Sequence, residues 1–448
     1  MDTDSLVTHV LAALALVITA SWAFGALARR LRQPPVIGQL LAGIALGPSL
    51  LRLTPHGVYA ALFPEEIKPV LTALAQVALA LFLFAVGYEL DLGQLRQRRA
   101  VTTVSLSGFA LPIVMGAGLV VLLPGAFRSV NGGRPVDANF TLYMAVALSI
   151  TAVPVLASII GDQGLAGSRP ATIAMAAAGV IDVLSWPILA VCLIGGGQDS
   201  LGDWLTRTGL LMAYVLVMVF AVRRLLVWWM NRPGSVLTDP VPVATALTLA
   251  SAWATNALGL HVIFGALLAG VVMPRQRDGI PDSRVLRPLQ ETGSLLLPVF
   301  FTVSGLSVQL RELRLSDALL LLALCVAAVA GKVAAGSLSA RRGARLPWRD
   351  SVLVGVLLNT RGLTELIVLN VGLQAGLIGP RLYALLVIMA LVTTAATGPL
   401  IRLLRRPTAA EGAPAEPRSG NGRTPNARPG SSRAPGTGTE ATPQPRKS

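Results

Sequence analysis

Asp182 is the only charged side chain in the stretch 171–196, ATIAMAAAGVIDVLSWPILAVCLIGG. That stretch is long enough to cross a bilayer. A charge at its centre costs roughly 2.5–3.5 kcal/mol on insertion scales, so a lone carboxylate there marks an ion or proton site by default. Helical spacing sets Ala178, Gly179, Ser185 and Trp186 one turn either side of it, so small residues and a hydroxyl share its face. Pro187 cannot donate to the Val183 carbonyl, which leaves that oxygen open to a ligand. The alternative is a structural aspartate paired inside a helix bundle.

Two basic residues lie within apolar spans. Lys332 sits in LLLLALCVAAVAGKVAAGSLSA, and Arg361 sits in VLLNTRGLTELIVLN. Lys332 is the expected charge partner of Asp182. The second run is interrupted by Asn359, Thr360, Arg361 and Gly362, and an earlier run, LSITAVPVLASIIGD, is interrupted at Pro154 just after Thr151. Breaks of this kind expose backbone groups inside the membrane, where they serve bound ions. The expected cation ligands are therefore Asp182, Ser185, Thr151 and the carbonyls near Ala152 and Val153. Arg361 and Glu365, four residues apart, are expected to form a local pair that supports the broken helix.

The elements that must position these groups follow from composition. The chain has 448 residues, 53% hydrophobic and 13% charged, with a mean hydropathy of +0.66. A soluble domain of this length does not show such values, so the sequence reads as an all-α polytopic membrane protein. The net charge of +15 does not indicate nucleic acid, because the basic residues fall in short loops and in the tail. Cys192 and Cys325 lie in apolar stretches, as packing residues rather than a disulfide framework.

About thirteen hydrophobic spans are expected, the first with an acidic flank, MDTDS, unlike a cleavable signal. Alternate loops carry 18 and 8 basic residues, so the richer set is expected in the cytoplasm, with the N terminus outside and the C terminus inside the cell membrane. Residues 1–406 are read as the transmembrane domain. Residues 407–448, rich in Pro, Gly, Ser and Arg, are read as a disordered basic tail with no nucleotide-binding domain after the bundle. Residues 37–48, IGQLLAGIALGP, resemble 263–274, IFGALLAGVVMP, and LFLFAVGYEL at 81–90 resembles PVFFTVSGLS at 298–307. Both matches are seven spans apart, an odd number, so the copies enter from opposite sides. Two inverted repeats (about 5–196 and 241–406), joined by a span at about 205–230, are expected to carry crossed discontinuous helices.

LAGIALGPSLL, FLFAVGYELDL, SITAVPVLASII, IDVLSW, HVIFGALLAGVVMP, LLPVFFTVSGL and NTRGLTELIVLNVGL together resemble the monovalent cation:proton antiporters that include Kef-like exchangers and bacterial sodium/proton antiporters. The likeness covers about 35–400. It implies a core domain with crossed broken helices, a dimerisation domain, an elevator-like movement and a homodimeric state, with Asp182 as the ion-binding carboxylate. Members of that family usually carry Asp or Asn, sometimes Gln, where this chain has Ile181, so the resemblance implies that Lys332 lacks its usual partner and either pairs with Asp182 when no cation is bound or is neutral for much of the cycle, which favours one proton per cation.

The expected function is exchange of Na+ or K+ for protons at one carboxylate, with no cofactor, no covalent step and hence no enzyme. Two alternatives stand: a transporter of a small organic solute on the same fold, and a transport-inactive sensor or scaffold. Glu89 and Asp91 read as a solvated interface, and His56 and His261 as external residues too far apart for a metal site.

Overall fold

The computed structural model describes residues 2–48, 58–89, 99–195, 201–230, 239–258, 261–276 and 279–405. Among them all regular structure is helical. The first half holds α1 (Thr3–Arg30), α2 (Pro35–Leu46), α3 (Lys68–Glu89), α4 (Arg99–Leu122), α5 (Ala138–Ser149), α6 (Val153–Asp162) and α7 (Arg169–Gly195). Next come α8 (Leu201–Leu216) and α9 (Arg223–Met230), joined through a π-helical turn at Val217–Val222. The second half holds α10 (Val241–Ala257), α11 (Val262–Val272), α12 (Ser283–Leu306), α13 (Asp317–Gly343), α14 (Trp348–Leu358), α15 (Leu363–Gln374) and α16 (Pro380–Arg405). Among the described residues, ten helical segments are long and apolar enough to cross a membrane, and α2 and α11 are shorter apolar helices. This is a multi-pass membrane protein. The expected tail, His56 and Asp91 lie outside the described residues.

Local chemistry sets several helix starts. Asp2, Asp137 and Asp282 each accept a backbone N–H of the first turn, from Ser5, Phe140 and Arg284. Pro35 and Pro154 occupy the first turns of α2 and α6, where a missing N–H costs nothing.

The packing repeats itself. Helix α2 lies between α1 and α12, and α11 lies between α10 and α3. A Cβ on Gly38 would fall 2.1 Å from the Phe24 carbonyl oxygen, and one on Gly265 would fall 2.0 Å from that of Ser251. In both repeats the glycine meets a carbonyl fourteen positions earlier in the chain, so only glycine permits each approach. Gly43 presses in the same way on Thr302, and Gly270 on Phe84. These contacts explain why LLAG recurs: it is a helix face clamped between two neighbours.

The first three helices of each half (α1, α2, α3 and α10, α11, α12) pack into one panel. The remainder (α4, α5, α6, α7 and α13, α14, α15, α16) form a core in which α13 lies against α4 and α14, and α4 lies against α5 and α7. Within the core, the breaks between α5 and α6 and between α14 and α15 meet. The Ala152 N–H donates to the Thr360 carbonyl at 3.0 Å, and Thr151 Oγ1 donates to the Leu358 carbonyl at 2.9 Å.

Candidate functional site

The crossing leaves helix-end carbonyls inside the bundle, and two cations satisfy one set of them. Arg361 donates from Nη1 to Ala147 at 3.3 Å and from Nη2 to Leu148 at 2.7 Å. Lys332 Nζ donates to the next carbonyl, Ser149, as well as to Gly108 O at 3.2 Å and Thr151 Oγ1 at 2.8 Å. Three successive carbonyls at the end of α5, the negative pole of that helix, are thus capped by positive charge. The end of α14 uses neutral donors instead: Thr151 takes Leu358, and Thr360 Oγ1 takes Leu357 at 2.7 Å.

Arg361 also pairs with Glu365 at 2.7 Å, both side chains being fully buried. This is the i, i+4 pair expected from the spacing. Its backbone N–H donates to Thr394 Oγ1 at 2.9 Å, which donates back to the Arg361 carbonyl at 2.8 Å. Asn359 Nδ2 holds Thr393 O at 3.3 Å. A Cβ on Gly362 would fall 2.5 Å from Val155 Cγ2, so this position has no room for a side chain.

Asp182 lies beside this crossing, on a cavity of about 1060 Å³. Thr172, Ala176, Gly179, Asp182 and Trp186 line it from α7, a stripe at helical spacing. Val153 and Pro154 line it from the first turn of α6, and Thr364 from the first turn of α15. At its far end the cavity reaches the exposed residues Glu89, Gly167 and Arg169. Asp182 Oδ1 is buried and has no hydrogen-bond partner.

Lys332 makes no direct contact with Asp182, because the carbonyl cage at the end of α5 takes the ammonium, but its charge still acts on the carboxylate through space. Ile181 packs close by. Its Cδ1 lies 3.5 Å from where a Gly108 Cβ would stand, so an apolar chain packs beside the carbonyl that Lys332 holds. Ser185 is buried, but its hydroxyl donates back to Ile181 O at 2.7 Å, and it does not line the cavity. The Ala152 carbonyl accepts the Leu156 N–H at 2.9 Å as the first bond of α6. The structure therefore brings Asp182, Val153 and Pro154 together on the cavity, and Thr151 and Lys332 together behind it. Asn359, Thr360, Arg361, Gly362 and Glu365 support the crossing.

Sequence reasoning missed Thr364 and the nearness of Glu89 to the cavity. Thr364 stands inside the distinctive NTRGLTEL run, one residue from Glu365 and hence on a different helix face, and a hydroxyl beside an Arg–Glu pair carries no signal of its own. Glu89 is exposed, as expected of a solvated interface, and stands at the rim of the cavity that holds Asp182.

Two interrupted helices crossing in a helical membrane core, with a buried carboxylate beside the crossing, define a secondary-transporter architecture. The chain belongs to the sodium/hydrogen exchanger family, whose transmembrane model matches residues 13–405. It is 34% identical over 409 residues to the Na(+)/H(+) antiporter NhaS4 of Synechocystis, covering 90% of this chain and 98% of that one. It is 35% identical over 411 residues to Cation/H(+) antiporter 20 of Arabidopsis thaliana, covering 88% of this chain and 48% of that protein. The chain thus spans about half the length of its plant relative. In fold it is similar to the sodium proton antiporter MjNhaP1 of Methanocaldococcus jannaschii, with a TM-score of 0.63 at 15% identity over 89% of this chain and 98% of that one.

Proposed function

We propose that this protein is a secondary active antiporter that exchanges Na+ or K+ for protons by alternating access at Asp182. The observation that carries this reading is the unpartnered, buried Oδ1 of Asp182 at a cavity reaching one face of the bundle. A carboxylate so placed holds either a proton or a cation, and since one site cannot hold both, the two fluxes are coupled. A dehydrated cation needs further oxygens. The Thr364 hydroxyl and the Val153 carbonyl supply candidates along the cavity wall, and Thr151, Ser185 and Ala152 lie one layer behind.

Lys332 and Arg361 hold the α5 end in place, so their role in this reading is to position the crossing rather than to carry the transported proton. One titrating carboxylate gives one proton per cation. By loop charge, the open face with Arg169 is cytoplasmic, the N terminus is outside, and the membrane is the cell membrane. Residues 1–406 form the transport domain, with thirteen crossings in two inverted repeats, and the protein works as a homodimer whose panel anchors a moving core.

The test is cation-dependent dissipation of a proton gradient in proteoliposomes with sodium and with potassium. Exchange by the wild type and none by Asp182→Asn is the expected result; no exchange by either would point instead to an organic solute or to a sensor.

A further inference from the structure

Polar contacts join the panel to the core at opposite ends of α16. Toward its start, the Tyr383 hydroxyl donates to the Ser304 carbonyl of α12 at 3.0 Å, and Asn370 of α15 donates to Ser304 Oγ at 3.2 Å. Toward its end, Gln33 Nε2, from the turn between α1 and α2, donates to the Ala395 carbonyl at 3.2 Å. This last contact is built from both sides.

A proline makes the acceptor. Pro399 lies inside α16 and has no N–H to give to the carbonyl four residues back, which is that of Ala395. No other residue from 384 to 401 is a proline, so Ala395 O is the one carbonyl in the interior of α16 that lacks its helical donor. A fixed turn holds the donor. Arg32 takes a left-handed φ of 57°, its N–H donates to Arg29 O at 2.9 Å, and the Gln33 N–H donates to Ala28 O at 2.8 Å. These are the paired bonds that close a helix C terminus, and Pro34 and Pro35 stiffen the exit. Beside the contact, Val36, Ile37 and Leu40 of α2 face Ala390, Leu391 and Thr394 of α16 across a space of about 10 Å³, at most the room of one water. Little solvent therefore competes for the bond. Gln33 Oε1 is buried without a partner, so the amide is only half satisfied and the bond can be broken without stranding a well-paired group.

We propose that Gln33 and the carbonyl opened by Pro399 form a detent between panel and core, a bond available at one register only, which favours the state whose Asp182 cavity is open. Sliding the core by one helical turn, about 5.4 Å, would carry the amide to the Leu391 or Pro399 carbonyl. Those oxygens take the N–H groups of Ala395 and Leu403 within α16, so the amide finds no second seat. The α1–α2 turn and Glu89 lie at the same end of the panel, with α2 and α3 between them in the chain, so the detent sits at the face on which the cavity opens. The proposal rests on the antiporter reading with a core that moves against the panel. What it adds is the pair of residues that sets how the protein divides its time between its two faces.

The test removes the bond from either side. Gln33→Met keeps the length of the side chain without the donor, and Pro399→Ala returns to Ala395 O its own helical donor. One net hydrogen bond changes an equilibrium about two- to tenfold, so each variant is expected to raise the ratio of the second state to the open one by that factor. In a Cys192→Ala, Cys325→Ala background, spin labels on Leu11→Cys of α1 and Leu403→Cys of α16, both exposed and at opposite ends of the bundle, read the two populations as two distances. The double variant is expected to shift no further than either single one, because both remove the same bond. In proteoliposomes the cation KM at the face opposite to Glu89 is expected to fall by the same factor, since apparent affinity follows the fraction of molecules open to that face. If Pro399→Ala perturbs folding, Gln33→Glu, of the same shape but without a donor, is expected to shift the ratio at least as far as Gln33→Met. Unchanged distance populations in Gln33→Met overturn the proposal, as do shifts that add in the double variant. A wild type that exchanges neither cation sinks the antiporter reading, and the distances then still decide whether the detent exists.

Discussion

The backbone N–H of Ala152 donates to the carbonyl of Thr360 at 3.0 Å, so the two helix breaks are joined main chain to main chain. Thr151, the preceding residue, reinforces the joint from both sides: its hydroxyl donates to Leu358 O at 2.9 Å and accepts from Lys332 at 2.8 Å. Thr151→Val keeps the shape and removes both bonds, leaving a buried carbonyl and an ammonium hydrogen without partners. The expected loss of stability is about 1–3 kcal/mol, with exchange strongly reduced. Thr151→Ser is expected to retain both bonds. Thermal unfolding in detergent beside proteoliposome exchange checks the pair.

The Arg361–Glu365 pair is completely buried and carries unequal duties. Arg361 also caps Ala147 and Leu148, whereas Glu365 Oε2 has no partner. Removing one member of a buried pair strands the other charge, at a cost of about 3–5 kcal/mol. Arg361→Met is therefore expected to destabilise more than Glu365→Leu. The double variant is expected to be less destabilised than the sum of the two, because no lone charge remains. A double-mutant cycle on melting temperatures measures that coupling.

How far the sequence could be read follows from these residues. Asp182, the two breaks and the Arg361–Glu365 spacing stand out because polar groups are costly in an apolar run, and the LLAG duplication stands out because close helix contact tolerates few residues. The Lys332 pairing was not legible: which oxygens an ammonium takes depends on where the α5 carbonyls end in space, some 180 residues away in the chain. Nor was the place of Glu89, because a cavity wall is assembled from six separate helices and leaves no periodic mark in any one of them.

Asp282 offers a pH-dependent handle outside the spans. It caps α12 through the Arg284 N–H at 2.9 Å, and the Arg284 guanidinium at 2.7 Å holds its carboxyl below the usual carboxylate range. A carboxyl depressed in the folded state stabilises fully above its unfolded value near ~3.9 and loses that contribution as pH falls through the folded value. Asp282→Ala is expected to cost about 0.5–2 kcal/mol at neutral pH. The gap between variant and wild-type melting temperatures is expected to narrow as the buffer is acidified below about pH 4. A gap independent of pH would assign the effect to packing.

On the proposed exchange at Asp182, Ile181 sets how many charges move in each cycle. With an isoleucine beside Gly108, Lys332 gives its hydrogens to Gly108, Ser149 and Thr151, and Asp182 is the buried carboxylate facing the cavity, Glu89 lying at its exposed rim. On that reading one proton exchanges for one cation, and an imposed membrane potential does no net work on the cycle. Exchange by the wild type is expected to be insensitive to that potential. Ile181→Asp supplies a carboxylate next to the ammonium, draws Lys332 from its carbonyl cage and adds a second proton to the cycle. Each 100 mV then acts on one net charge with about 2.3 kcal/mol, so the variant's exchange is expected to accelerate or slow with the sign of the potential. Proteoliposomes under imposed potentials of both signs compare the two. A wild type that already responds would mean that Lys332 releases its proton during the cycle, and the carbonyl cage would then be one of its states rather than its fixed place.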